Sequence, residues 1–314
     1  GLSYNASFWD LDPSCSFARF LAEQGYDVWA VDLRGSGMSQ KWVWKLDEAP
    51  TMLVGSALRK MTKGKLAPTG YATIDPKAAN WDLDSHINYD VPALVKLVRH
   101  HTRAAEVAWV GHSMGGIVAI AHLARYPNPG IGRLVTVGSQ VTMANSRAAV
   151  AFLQEMLTTR QQQIVGELRG QELIVQTRTS VHNLFFNVQN VSQTVYEALA
   201  GPAADIPSIG VLKQYMTLAT QRELVDSKKQ FNYARSLGNV KVPILITCGE
   251  IDQFAPPNEQ QFLHANVGST DKKLVFFGRS SGLTVNCGHD DALVGLNSRA
   301  QVYPVIEGWL RGVR

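Results

Sequence analysis

The chain has 314 residues, 45% hydrophobic and 18% charged, with a net charge of +4, which suits one globular α/β domain with room for an excursion. The small charge and the lack of interleaved basic and aromatic residues argue against a nucleic-acid partner, and no run of eighteen apolar residues offers a transmembrane helix. Three cysteines, an odd number, do not make a disulfide framework.

From the start of the chain, Ser16 to Gln24 has helical spacing closed by Gly25, and Asp27 to Asp32 reads as a strand. The turn Arg34-Gly35-Ser36-Gly37 that follows is too short to cradle a phosphate. Lys41 to Asn80 fills a place where a few residues would suffice. It mixes Trp42, Trp44, Met52, Leu53 and Met61 with lysines and Arg59, and reads as a helical surface excursion. The alternative is part of a lid that meets an acidic, greasy substrate. Ser85 to Thr102 is an amphipathic helix feeding the short strand Val107 to Val110.

Gly111-His112-Ser113-Met114-Gly115 has the form Gly-x-Ser-x-Gly and lies between that strand and a helix running from Gly116 to Tyr126, before Pro127. A strand, a sharp turn and a helix lift a serine hydroxyl clear of a sheet, which makes Ser113 the candidate nucleophile. A serine needs a base, and the base needs an acid to orient it. Arg133 to Val137 is the next strand, and Val242 to Cys248 reads as a buried parallel strand with Glu250 and Asp252 in the loop at its end. Lys273 to Phe277 is a further strand, Cys287-Gly288-His289-Asp290 follows, and Ser298 to Leu310 closes the chain as a helix. The order serine, acid, histidine makes His289 the base, with Asp252 or Glu250 as its acid.

The segment 141–237 has helical spacing in Ala148 to Leu157, Val181 to Val188, Val191 to Leu199 and Ile209 to Leu218, broken by Gly170, Gly201 and Pro202. It reads as a helical cap over a core made of 1–140 and 238–314. The cap would stand at the C-terminal edge of the sheet, where open α/β sheets bind ligands. Phe185, Phe186, Met156, Tyr215 and Met216 are candidates for lining an apolar, enclosed pocket, although such side chains also serve as cap core.

The other histidines have structural readings: His100 and His101 end a helix, His122 packs within one, and His112 shapes the elbow. No histidine pair has metal-ligand spacing, so neither a metal nor a cofactor is expected. Cys248 and Cys287 both lie in loops at the same end and read as buried thiols, with a single bridge as the alternative. Oxyanion donors are expected from the N–H of Met114, after the nucleophile, and of Leu2, if Gly1 belongs to the His-Gly-x loop that precedes it in such folds. The strand and histidine that should come before that loop are then expected upstream of Gly1. Localisation stays open for the same reason, with the cytoplasm favoured over secretion, and so does oligomeric state.

The residues Gly1-Leu2, Trp9, Phe20 to Trp29, Arg34-Gly35, Trp81-Asp82-Leu83-Asp84, Tyr89 to Ala93, the elbow and Gly288-His289-Asp290 carry a resemblance to the α/β-hydrolases. Within that superfamily the chain is similar to the acid lipases of gastric and lysosomal type and to bacterial esterases. The resemblance implies a doubly wound, mostly parallel sheet and favours Asp252 as the acid, since Asp252 and Pro256 match the usual loop. After the serine, Met114-Gly115-Gly116 departs from the Gln-Gly-Thr of acid lipases and looks more like bacterial esterases. The expected activity is hydrolysis of a small, apolar carboxylic ester through an acyl-enzyme. An acyltransferase, polyester depolymerase, thioesterase or amidase with the same residues is the alternative, and a receptor without turnover ranks below.

Overall fold

The computed structural model describes residues 2–39, 44–46, 72–74, 81–127, 130–143, 147–164, 182–205 and 207–312. Gly1, Gly170 and residues 47–71, with Met52, Leu53 and Met61, lie outside the described residues. Within the excursion, Trp44–Leu46 (β1) pairs antiparallel with Ala72–Ile74 (β2), so its described part is a β-ladder where helix was expected.

Four apolar runs build the main sheet. Val107–His112 (β3), Ile131–Val137 (β4), Ile244–Gly249 (β5) and Lys272–Phe277 (β6) lie side by side in that order, all parallel. Every residue of β5 is buried, as a central parallel strand requires when both faces are covered. Alternation along the strands divides the core: Leu134, Ile244 and Ile246 face one layer, and Val135, Val137 and Leu245 the other. The first layer holds Val91 and Val95 of a helix over Val91–Thr102 (α2) and Ile117 and Ile120 of Met114–Arg125 (α3). The second holds Phe17 of Phe17–Glu23 (α1) and Tyr303, Ile306 and Trp309 of the last helix, Tyr303–Arg311 (α8). Each fully buried Ile, Leu or Val contributes about 1.5–3 kcal/mol, and this burial makes the α/β/α sandwich.

Local signals explain several ends. The Ser16 hydroxyl accepts the Arg19 N–H at 3.0 Å and starts α1, and Gly25 at φ +89° stops it. Between β4 and β5 the helices are Arg147–Ile164 (α4), the short His182–Phe185, Gln193–Ala200 (α5) and Ile209–Gln221 (α6). Pro257–Asn266 (α7) lies between β5 and β6 and is not legible from apolar spacing.

Asp27 to Asp32, expected as a strand, joins no ladder among the described residues. Its side chains suit a strand, but a ladder needs a partner edge at hydrogen-bonding distance. A cavity of about 340 Å³ separates Tyr26 to Val31 from Glu106 to Val110 of the β3 side.

Candidate active site

Ser113 stands between β3 and α3 at φ +52°, ψ −122°, a conformation that costs a non-glycine residue about 1–3 kcal/mol. Its surroundings over-determine it. The Ser113 N–H donates to the Val137 carbonyl at 2.8 Å, and the Ser139 hydroxyl donates to the Ser113 carbonyl at 2.9 Å. A Cβ on Gly111 would collide with the backbone of Gly116, and one on Gly116 with the Ser139 side chain. Gly115 has open space beside it, so the turn relies on Gly111 and Gly116 for close approach.

His289 and Asp252 arrive from the loops after β6 and β5. His289 Nδ1 lies 2.8 Å from Asp252 Oδ2, and both are buried. Asp252 Oδ1 accepts the N–H groups of Phe254 and Ala255 at 2.9 and 2.7 Å, which fixes the carboxylate. Glu250 turns elsewhere and accepts the Ser280 N–H at 3.1 Å. Burial disfavours the imidazolium of His289, but the Asp252 charge and hydrogen bond outweigh it and hold the pKa above the ordinary 6.5.

His112 lies beneath this pair. Its ring stacks on Phe8 at 4.8 Å, and Nε2 is 3.1 Å from the His289 carbonyl. Burial, and then the His289 charge, hold its pKa well below 6.5, so it stays neutral and donates Nε2–H to that carbonyl. Donor atoms of His112, His289 and Asp290 come within 4.8 Å of one another, a spacing that could hold a metal. Protein partners already engage this group: His289 Nδ1 meets Asp252, and Asp290 Oδ2 accepts the Tyr4 hydroxyl at 2.7 Å.

Leu2, Ser3, Tyr4, His112, Ser113, Phe152, Phe185, Phe186, Phe254, His289 and Asp290 enclose one cavity with about 20 Å³ of free space, room for one water. The Phe185 and Phe254 rings meet that of His289 at 5.8 and 5.1 Å. Leu2 also borders a neighbouring cavity together with Met114, Arg34 and Trp81. Met114 is the first residue of α3, where N–H groups have no acceptor within the helix.

Met156, Tyr215 and Met216 do not line the site cavity. Met156 and Tyr215 belong to the buried core and Met216 packs against it. Sequence reading misses Tyr4, Phe152 and Phe254 as lining residues. It also misses Gly138, although a glycine one residue past a strand beside the elbow is a usable signal. Other noted side chains serve the frame. Asp84 accepts the Tyr233 hydroxyl at 2.7 Å, and Asp90 pairs with Arg34 and His86. His122 Nδ1 meets the Ile87 carbonyl at 2.7 Å. Cys248 and Cys287 are free, buried thiols, so the bridge does not form.

A parallel sheet covered by helices on both faces, with a serine at the turn from strand to helix, defines an α/β-hydrolase fold. The chain belongs to the serine aminopeptidase S33 family, whose family model matches residues 13–280. It is also similar to curated lipases. Lipase member K of Homo sapiens is 26% identical over 174 residues, which is 55% of this chain and 37% of that protein. The tear acid lipase-like protein of Mesocricetus auratus is 26% identical over 124 residues, 38% of this chain and 24% of that one. The chain therefore spans well under half the length of these relatives. Among solved structures, a thermophilic esterase from Thermogutta terrifontis aligns over 100% of this chain and 88% of its own, with a TM-score of 0.60 at 16% identity. A lipase-esterase related protein from Clostridium acetobutylicum aligns over 98% and 90%, with a TM-score of 0.57 at 12% identity. Identities this low speak for the fold alone.

Proposed function

We propose that the protein is a serine hydrolase of carboxylic esters that works through an acyl-enzyme. The observation that carries this reading is Ser113 at φ +52° on its elbow, in one cavity with His289, whose Nδ1 lies 2.8 Å from Asp252. Ser113 Oγ attacks the ester carbonyl carbon while His289 Nε2 takes its proton. Asp252 keeps the other imidazole proton on Nδ1. The N–H groups of Leu2 and Met114 receive the oxyanion, each worth about 3 kcal/mol. His289 then returns its proton to the leaving alkoxide, and a water deprotonated by the same imidazole releases the acid. No cofactor is required.

Residues 141–237 act as the cap: α4 brings Phe152 and the 182–190 stretch brings Phe185 and Phe186 to the cavity wall. This aromatic wall suits an apolar acyl or alcohol group. The lipase names of the curated relatives support an ester substrate. The aminopeptidase name of the family gives a second reading, cleavage of an amide by the same residues.

The test is a series of short, medium and long p-nitrophenyl esters, with matched anilides, for the wild type beside Ser113→Ala and His289→Ala. Ester turnover that exceeds anilide turnover and vanishes in both variants supports the reading. Preference for the anilides favours the amide alternative, and turnover that survives in Ser113→Ala overturns both.

A further inference from the structure

Asp291 is fully buried two residues beyond His289 and has no part in the reaction just described. Its Oδ1 accepts the N–H of Gly288 at 2.9 Å and that of Asn187 at 3.0 Å, and its Oδ2 accepts Nδ2 of Asn190 at 2.8 Å. Gly288 immediately precedes His289, while Asn187 and Asn190 follow Phe185 and Phe186 of the aromatic wall. One carboxylate thus ties two segments that are distant in the chain.

Other bonds lay the same segments together. The Asp290 N–H donates to the Phe185 carbonyl at 2.9 Å, Asn187 Nδ2 to the Asn286 carbonyl at 2.7 Å, and the Leu296 N–H to the Asn190 carbonyl at 2.8 Å. A Cβ on Gly288 would come within 2.8 Å of Asp291 Oδ1 and 3.0 Å of the Asn187 nitrogen, so the glycine lets this junction close. Through it the Phe185 ring is set edge-on to the His289 ring at 5.8 Å.

We propose that Asp291 is a positioning residue whose ionised carboxylate locks the Phe185–Asn190 stretch and the His289 loop into one unit, placing base and aromatic wall together. The proposal rests on the reading of Ser113 and His289 as nucleophile and base. Only the charged form matches its partners, because every group aimed at it is an N–H donor. The Asn190 amide is not free to turn over, since Nδ2 also faces the Asp291 carbonyl at 3.3 Å and an oxygen there would be repelled. A protonated Asp291, or an asparagine, sets a donor against Nδ2 of Asn190.

Burial pushes the Asp291 pKa up to about 6, against the hydrogen bonds from Asn190, Asn187 and Gly288 and with help from Asp290. The other titratable groups around it are Asp290, His289, His112 and the Cys287 thiol, the last pushed up to about 12 by burial and by Asp291 itself. Glu250 lies further off, beside Gly278. His112 is neutral and the thiol stays protonated through the neutral range. His289 and Asp291 are the two groups whose charge the proposal invokes there.

The experiment is the pH dependence of kcat/KM on a short p-nitrophenyl ester between about pH 5 and 8. In the wild type, log kcat/KM falls with slope one as His289 protonates and with slope two below about pH 6, where Asp291 takes a second proton. Asp291→Asn lowers kcat/KM about a hundredfold or more at neutral pH and leaves a limb of slope one. Asn190→Ala keeps the carboxylate but removes a donor, so the onset of slope two moves to higher pH; this variant decides the matter if Asp291→Asn does not fold. Wild-type kcat/KM at neutral pH in folded Asp291→Asn, a slope of two in that variant, or an unmoved onset in Asn190→Ala overturns the proposal. Turnover persisting in Ser113→Ala would instead overturn the reading beneath it.

Discussion

A Cβ on Gly138 would stand 2.9 Å from Nδ1 and Cε1 of His289, and 3.0 Å from Oδ2 of Asp252. The residue just past the strand next to the elbow thus leaves room, through its missing side chain, for the buried His–Asp pair. Gly138 is also at φ +59°, where an L side chain costs about 1–2 kcal/mol. Gly138→Ala is expected to lower kcat by about tenfold to a hundredfold through displacement of the imidazole. Steady-state kinetics beside thermal unfolding check it; unchanged kcat in a folded variant contradicts it.

The first protonation on the acid limb of activity belongs to His289. The base works unprotonated, and Asp252 outweighs burial to raise its pKa, so kcat/KM is lost as pH falls through a value above 6.5. Asp252→Asn removes the two larger raising influences and leaves burial, which lowers the pKa, against only the smaller raising effect of Asp290. Its residual activity, smaller by about 10⁴ in kcat, should therefore persist to lower pH than that of the wild type. A limb that stays in place or moves up would show that another group sets it.

His112 adds no proton step of its own in the neutral range. His112→Leu removes the donor to the His289 carbonyl, and the expected cost is about tenfold in kcat/KM with the number of ionisations unchanged. Loss of activity as complete as in His289→Ala would make His112 part of the proton transfer itself.

The site cavity has about 20 Å³ free between aromatic side chains, so this wall sets how much of an acyl chain it admits. Phe185, half-buried against Phe152, Phe254 and His289, is the wall residue to shorten. Phe185→Ala is expected to move the acyl-chain optimum to longer esters. Stability should fall by about 2–3 kcal/mol, less than the cost for a fully buried Phe. An unchanged chain-length profile would place the acyl pocket elsewhere.

Much of the frame is legible because its signals are local. Val107 to Val110, Arg133 to Val137, Val242 to Cys248 and Lys273 to Phe277 read as strands from composition alone and fall within β3 to β6, with ends displaced by a residue or two. Asp27 to Asp32 carries the same signal and forms no ladder among the described residues, because side-chain preference is local and a ladder partner is not. The helix α7 escapes notice because Asn258, Glu259 and Gln260 open it, although Glu259 and Gln260 are buried. In the site, Ser113 and His289 stand out through their places after strands, whereas Asp252 shares its loop with Glu250 and is favoured over it by resemblance alone. The cavity wall does not: whether Phe152 or Met156, both on α4, faces Ser113 depends on how that helix docks, and Tyr215 is absorbed into the core.

The central claim is that Ser113 is a nucleophile activated by His289, and covalent capture tests it most directly. Incubation with a fluorophosphonate, followed by peptide mapping of the adduct by mass spectrometry, should place one phosphonyl group on Ser113. Labelling of His289→Ala should be slower by about 10³ or more. An adduct on another residue, or equal labelling rates in the wild type and His289→Ala, would contradict the account.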